Sequence, residues 1–138
     1  MHKIGIHLSY WQESWSDPLA PIFHWAKRAG FDVVELPLLA PHKMDFQHLK
    51  SELAKAGLLA SCGTGLGPET DITSPDPDIR AAGMAHLRAC LEGAAELGSP
   101  VLGGLTYAPW GVFPQGDWPR RREQCVASLQ QAAGVAEA

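Results

Sequence analysis

Hydrophobic and polar positions change period several times along the chain, and glycine, proline or a capping residue marks each change. Residues 3–8 alternate, with Ile4, Ile6 and Leu8 on one side and Gly5 and His7 on the other, which predicts a strand between two different environments. Asp17 followed by Pro18, a cap residue before a proline suited to a first turn, opens a helix expected to run to Gly30. Residues 31–36 form a second β-rich run. Asp45 then caps a helix in which Phe46, Leu49, Leu53 and Ala56 recur at helical spacing until Gly57 stops it. Residues 58–63 read as a third strand. The run Ser74-Pro75-Asp76-Pro77 opens a third helix, with Ile79, Leu87, Cys90, Leu91 and Ala94 on one stripe and Gly98 at its end. Residues 100–106 form strand four, and a fourth helix runs from about Pro119 to the C-terminus.

Strands beginning near residues 3, 31, 58 and 100, each followed by a helix, require parallel pairing through crossovers. The expected class is α/β, four β-α units in a single domain over residues 1–138. Loop composition then locates function. Gly30, Gly57 and Gly98 sit almost directly before the next strand, whereas the loops after the strands, 9–16, 64–73 and 107–118, are long and carry aromatics, glycine and proline. Parallel α/β folds bind ligands at the carboxyl ends of their strands, so that face is the candidate.

Composition narrows the partner. Of 138 residues, 46% are hydrophobic and 19% charged, and 11 Lys and Arg against 15 Asp and Glu leave a formal charge of −4. A chain of this size can bury a real core. Its acidic balance offers no general attraction to nucleic acid or to anionic lipid, which favours a small neutral or polar ligand. Its apolar runs fall far short of the ~20 residues needed to span a bilayer, and the N-terminus lacks the apolar core of a secretion signal, so the cytoplasm is the expected location. Cys62, Cys90 and Cys125 are odd in number and have no CxxC spacing, which argues for reduced thiols over a disulfide framework or a zinc knuckle.

Several residues carry chemistry. Tyr10, Trp11, Trp15, Tyr107, Trp110 and Trp118 offer flat faces for the C–H side of a sugar, with an N–H or O–H for its hydroxyls; the same rings would also serve to plug the top of the sheet. Glu35, in phase with Phe31 and Val33 at the end of strand two, is a polar anchor for a hydroxyl or a neighbouring loop. Alone it cannot run a two-base epimerisation. The histidines His2, His7, His24, His42, His48 and His86 show no HxH or HxxxH spacing, and only His7 reaches the ligand face. The run from Gly63 to Gly67, GTGLG, has the composition of a phosphate-cradling loop, but Pro68 follows and no helix start is aimed at it. Arg120, Arg121 and Arg122 cluster at the start of helix four, as a solvated surface group or a contact for a sugar phosphate or acidic partner.

The runs IGIHLSYWQESW, AGFDVVEL, TDITSPDPDIRAAG and LGSPVLGGLTYAPW, in that order, resemble the opening half of a ketose 3-epimerase, in particular the D-tagatose and D-psicose (allulose) 3-epimerases of the xylose-isomerase-like (β/α)8 TIM-barrel superfamily. The resemblance covers essentially the whole chain. It implies half of such a barrel and an enzyme that moves a proton at a ketose carbon with a divalent metal (Mn, Co or Mg) and two glutamates. In that family the metal ligands, two glutamates, an aspartate and a histidine, belong to the second half of the barrel. No catalytic residue and no metal ligand is therefore carried over, and a metal is expected only in a complete barrel. The positions carried over are substrate-facing: His7, where the family usually has an aromatic residue, Trp15, Gly63, Leu105 and Trp110.

Four parallel strands would expose roughly 300 Å² on their barrel-facing side. Covering it is worth about 7 kcal/mol at ~25 cal/mol per Å². Two partners fit, a second copy in a homo-oligomer or a complementing C-terminal half-barrel. The expected function is that of an incomplete ketose 3-epimerase-like sugar isomerase; the alternative is a non-catalytic sugar-binding or assembly module.

Overall fold

The computed structural model describes residues 2–113 and 116–137. Strands and α-helices alternate in the order β1 (Gly5–His7), α1 (Ala20–Arg28), β2 (Val33–Pro37), α2 (Phe46–Ala56), β3 (Leu59–Leu66), α3 (Pro77–Glu96), β4 (Leu102–Pro109) and α4 (Trp118–Ala136). The class is α/β, with four parallel strands in one sheet of order β1-β2-β3-β4. Register aligns His7 with Glu35 and Glu35 with Ser61, and aligns Pro37 with Gly63.

The boundaries move for identifiable reasons. β1 ends at His7 because Leu8 begins a single 3₁₀ turn, closed when the His7 ring accepts the Ser9 amide. α1 starts at Ala20, not at Asp17. The Asp17 carboxylate turns back to accept the amides of Glu13 at 2.8 Å and Ser14 at 2.9 Å, closing the loop instead of capping the helix. Asp45 caps α2 as expected, accepting the His48 amide, and Gly57 ends it in the left-handed conformation at φ 64°.

β3 runs three residues beyond its expected end, and the alternation shows why: Ala60, Cys62, Thr64 and Leu66 are all buried. Period two thus continues through a glycine-rich run whose composition reads as loop. Residues 63–66 of the GTGLG run are strand backbone, so the segment is not a phosphate cradle. β4 likewise continues to Pro109, and the Trp110 amide donates to the Leu66 carbonyl at 2.8 Å just beyond it. Gly104, at φ 101°, lies so near β3 that a Cβ there would run into the Thr64 carbonyl. The expected loop 107–118 shortens accordingly, and its residues 114 and 115 lie outside the described residues, as does Ala138 of the fourth helix.

The chain divides into two compact units, Met1–Gly63 with Glu92–Gly103, and Thr64–Leu91 with Gly104–Ala138. In the first, Phe23, Val34, Leu36, Leu38, Leu53 and Cys62 form the core. In the second, Leu66, Ile72 and Leu87 pack with Met84, Cys125, Leu129 and Ala132. Among the described residues no helix is long and apolar enough to cross a membrane.

Candidate functional site

Within the first unit, Val34, Leu36, Ala60 and Cys62 are buried, while the alternate positions His7, Glu35 and Ser61 are only half-buried. Parallel register places these three residues side by side across β1, β2 and β3. A core face and a polar face therefore coexist on β2 and β3; in β1 the alternation expected from residues 3–8 is blunted, with Ile4 62% exposed and Ile6 and His7 both half-buried.

His7 is held rigidly. Its Nδ1 accepts the Ser9 amide at 3.1 Å and lies 2.7 Å from the Ser9 hydroxyl. A nitrogen accepting an N–H carries no proton of its own, so the neutral ring bears its proton on Nε2 and presents a donor. The indole of Trp15 stands edge-on to this ring, with centroids 6.3 Å apart at 88°.

Glu35 lies over Gly63. A Cβ on that glycine would come within 2.7 Å of Glu35 Oε1, so the missing side chain makes room for the carboxylate. This first unit thus combines an imidazole donor, a carboxylate acceptor, a serine hydroxyl and an exposed indole, a set that can bind and orient a polyol through several hydroxyls. Ser61 escapes the sequence reading, yet its signal is there: it stands two residues before Gly63 in the same strand phase.

Of the remaining substrate-facing candidates, both lie in the second unit. Trp110 is 73% exposed just past β4. Leu105 is half-buried and lines a cavity of about 570 Å³ together with Tyr107, Phe113, Trp118 and Cys125. The arginine cluster does not behave as one solvated group. Arg121 Nη1 donates to Asp71 Oδ2 at 3.1 Å and to Thr73 Oγ1 at 2.8 Å, and Asp71 Oδ1 also accepts the Thr73 amide and hydroxyl. His86 lies on α3, where its Nε2 is 2.9 Å from Thr64 Oγ1 and 3.5 Å from Cys90 Sγ.

The three cysteines are free thiols, Cys62 and Cys90 buried and Cys125 half-buried. Burial pushes the Cys90 thiol above its ordinary value, while a hydrogen bond to Thr64 works the other way. Cys125 is raised by burial and by the nearby Asp71 charge. Neither is an activated nucleophile. Among the described residues no three His, Cys, Asp or Glu side chains are grouped to hold a metal ion. The divalent cation that the resemblance implies therefore does not fit the donor set described here, and no step is derived through it.

Comparison with known proteins gives this geometry its context. The sequence profile of the family described as "Xylose isomerase-like TIM barrel" matches residues 23–138. An L-ribulose 3-epimerase of Methylomonas sp. (strain DH-1) is 35% identical over 135 residues, covering 97% of this chain and 47% of the relative. A ketose 3-epimerase of Arthrobacter globiformis is 37% identical over 107 residues, covering 77% of this chain and 37% of the relative. The crystal structure of a D-allulose 3-epimerase from Methylomonas sp. in complex with D-allulose superposes with a TM-score of 0.88 at 33% identity, covering 97% of this chain and 47% of that one. The chain spans about half the length of the curated relatives it matches. The strand order, the polar strand face and the family profile agree, and the chain belongs to the xylose isomerase-like TIM barrel family.

Proposed function

We propose that this chain is part of a ketose 3-epimerase-like isomerase acting on free keto-sugars, and that it supplies substrate-facing groups while the metal and the proton-transferring glutamates lie outside it. The observation that carries this reading is the match, over 97% of the chain, to an epimerase whose structure holds D-allulose. His7, Trp15 and Gly63 in the first unit, and Leu105 and Trp110 in the second, are the proposed sugar contacts, with Glu35 as the polar anchor. His7 would donate from Nε2 to a hydroxyl; Glu35 would accept from one. Epimerisation needs an acid and a base on opposite faces of the carbon, and Glu35 alone supplies one carboxylate. A second copy or a complementing half-barrel would close the site, in the cytoplasm. Mn, Co or Mg would enter only with a complementing half-barrel, since a second copy repeats the same donor set.

The purified chain should bind neither Mn²⁺ nor Co²⁺ at micromolar concentration and should leave D-allulose and D-tagatose unchanged; turnover by this polypeptide alone would overturn the incomplete-enzyme reading. Both ketoses should quench tryptophan fluorescence, with the response lost in Trp110→Ala. The alternative reading is a non-catalytic sugar-binding or assembly module. The two readings part on complementation: adding the second half of a homologous barrel restores epimerisation under the first and not under the second.

A further inference from the structure

A second concavity in the first unit, of about 530 Å³, lies beside Trp15 and the segment joining β2 to α2. That volume is within the range of small-molecule sites. Trp15, 61% exposed, forms an apolar wall together with Leu39 and Met44. Its polar lining includes the side chains of Asp17, Lys43, Asp45 and His48. The carboxylates are only half engaged, since Oδ2 of Asp17 takes the Glu13 and Ser14 amides and Oδ1 of Asp45 takes the His48 amide. Among the described residues, the other oxygen of each, the Lys43 ammonium and the His48 ring meet no hydrogen-bond partner.

We propose that this cavity is a binding site for a neutral polyol, a sugar ring laid against Trp15 with its hydroxyls shared among Asp17, Lys43, Asp45 and His48. The charge balance selects the class. Two carboxylates outnumber the single Lys43 ammonium, so a phosphate or carboxylate ligand would meet more repulsion than attraction. A wholly apolar ligand would desolvate four polar groups without pairing them, at a cost larger than the burial returns. Vicinal hydroxyls both donate and accept, matching two unpaired acceptors and two unpaired donors, and the C–H face of the ring suits the indole. Nothing in the inference requires a keto group; it shares Trp15 with the proposed sugar contacts, and the amides of residues 39–48 are what tell the two sites apart.

The test uses the full chain and methyl α-D-glucopyranoside, a locked acetal that cannot enter ketose chemistry. Titration followed by ¹H–¹⁵N correlation spectra should give saturable shifts in the Trp15 indole N–H and in the amides of residues 39–48. The exposed substitutions Lys43→Met and His48→Gln should each weaken binding at least about threefold, the loss of one modest hydrogen bond. Three results would overturn the proposal: no shift in those amides up to about 100 mM glycoside, far beyond the millimolar range of weak sites; unchanged affinity in the double variant with native spectra; or inorganic phosphate shifting the same amides and displacing the glycoside. Quenching by D-allulose through Trp110 is read separately, so loss of one response leaves the other interpretable.

Discussion

Polar groups in the two units meet opposite fates. In the first, His7 keeps Nε2 available while Nδ1 is anchored by Ser9, and the Glu35 carboxylate rests over Gly63 beside Ser61. In the second, Asp71 accepts from Thr73 and Arg121, Arg121 reaches both, and Thr64, His86 and Cys90 contact one another. Polar groups that satisfy each other lower the energy of the fold and have little left for a ligand. Groups anchored on one atom and available on another are poised to bind. The contrast separates staple from site without reference to any relative.

Substitutions that test the staple should have the largest effects. Gly104→Ala combines a left-handed φ of 101° with a Cβ driven into the Thr64 carbonyl, backbone against backbone, and should cost about 4 kcal/mol in urea unfolding. Gly63→Ala meets only the flexible tip of Glu35 and should cost under about 1 kcal/mol while moving that carboxylate. Equal costs would erase the distinction. Next, Asp71→Asn leaves Arg121 without its counter-charge where the two side chains are 20% and 9% exposed, and should destabilise by about 3 kcal/mol. Glu35→Gln, by contrast, should change stability by no more than about 0.5 kcal/mol. His7→Phe should cost only about 1 kcal/mol in unfolding, the lost Ser9 contact, yet weaken D-allulose binding about fivefold through the lost Nε2 donor, measured by fluorescence titration. A large stability loss in either variant would make these residues staples too.

The units also differ in how far the sequence discloses them. The half-buried strand face was legible because His7 and Glu35 stand in phase with their strands, and β1 and β2 are short enough for period two to dominate. The end of β3 was not, because glycine and threonine in GTGLG have the composition of a turn and only pairing with neighbouring strands reveals the alternation. Asp17 misled for a related reason: a cap residue before proline is a local signal, and the nearby amides of Glu13 and Ser14 competed for the same carboxylate. The Arg121–Asp71 pair spans 50 residues, a separation that no local pattern reports. The His86 contact with Thr64 was equally hidden, because Thr64 lies in the part of β3 that composition had cut short.

The smallest effect tests the same contrast through pH. In the first unit Glu52, half-buried beside the exposed Lys55, is lowered from 4.5 chiefly by its hydrogen bond to that lysine. A lowered acid contributes stability above its unfolded pKa and loses it as pH falls, and because the partner Lys55 is exposed, added salt should weaken the effect. In the second unit Cys90 and Cys125 are raised from 9.0, chiefly by burial. The folded thiols hold their protons where the unfolded chain has begun to ionise, so the unfolded state binds fewer protons and stability falls as pH climbs past about 9. Below that value their contribution is constant. Urea midpoints should therefore show an acid limb that weakens in about 1 M salt and an alkaline limb that persists, because salt screens the charge pair and leaves desolvation untouched. Cys90→Ala should flatten the alkaline limb, at the modest cost of a small buried void. If that limb disappears in salt or stays as steep in Cys90→Ala, burial is not its cause, and the second unit is less tightly closed around its polar cluster than the comparison requires.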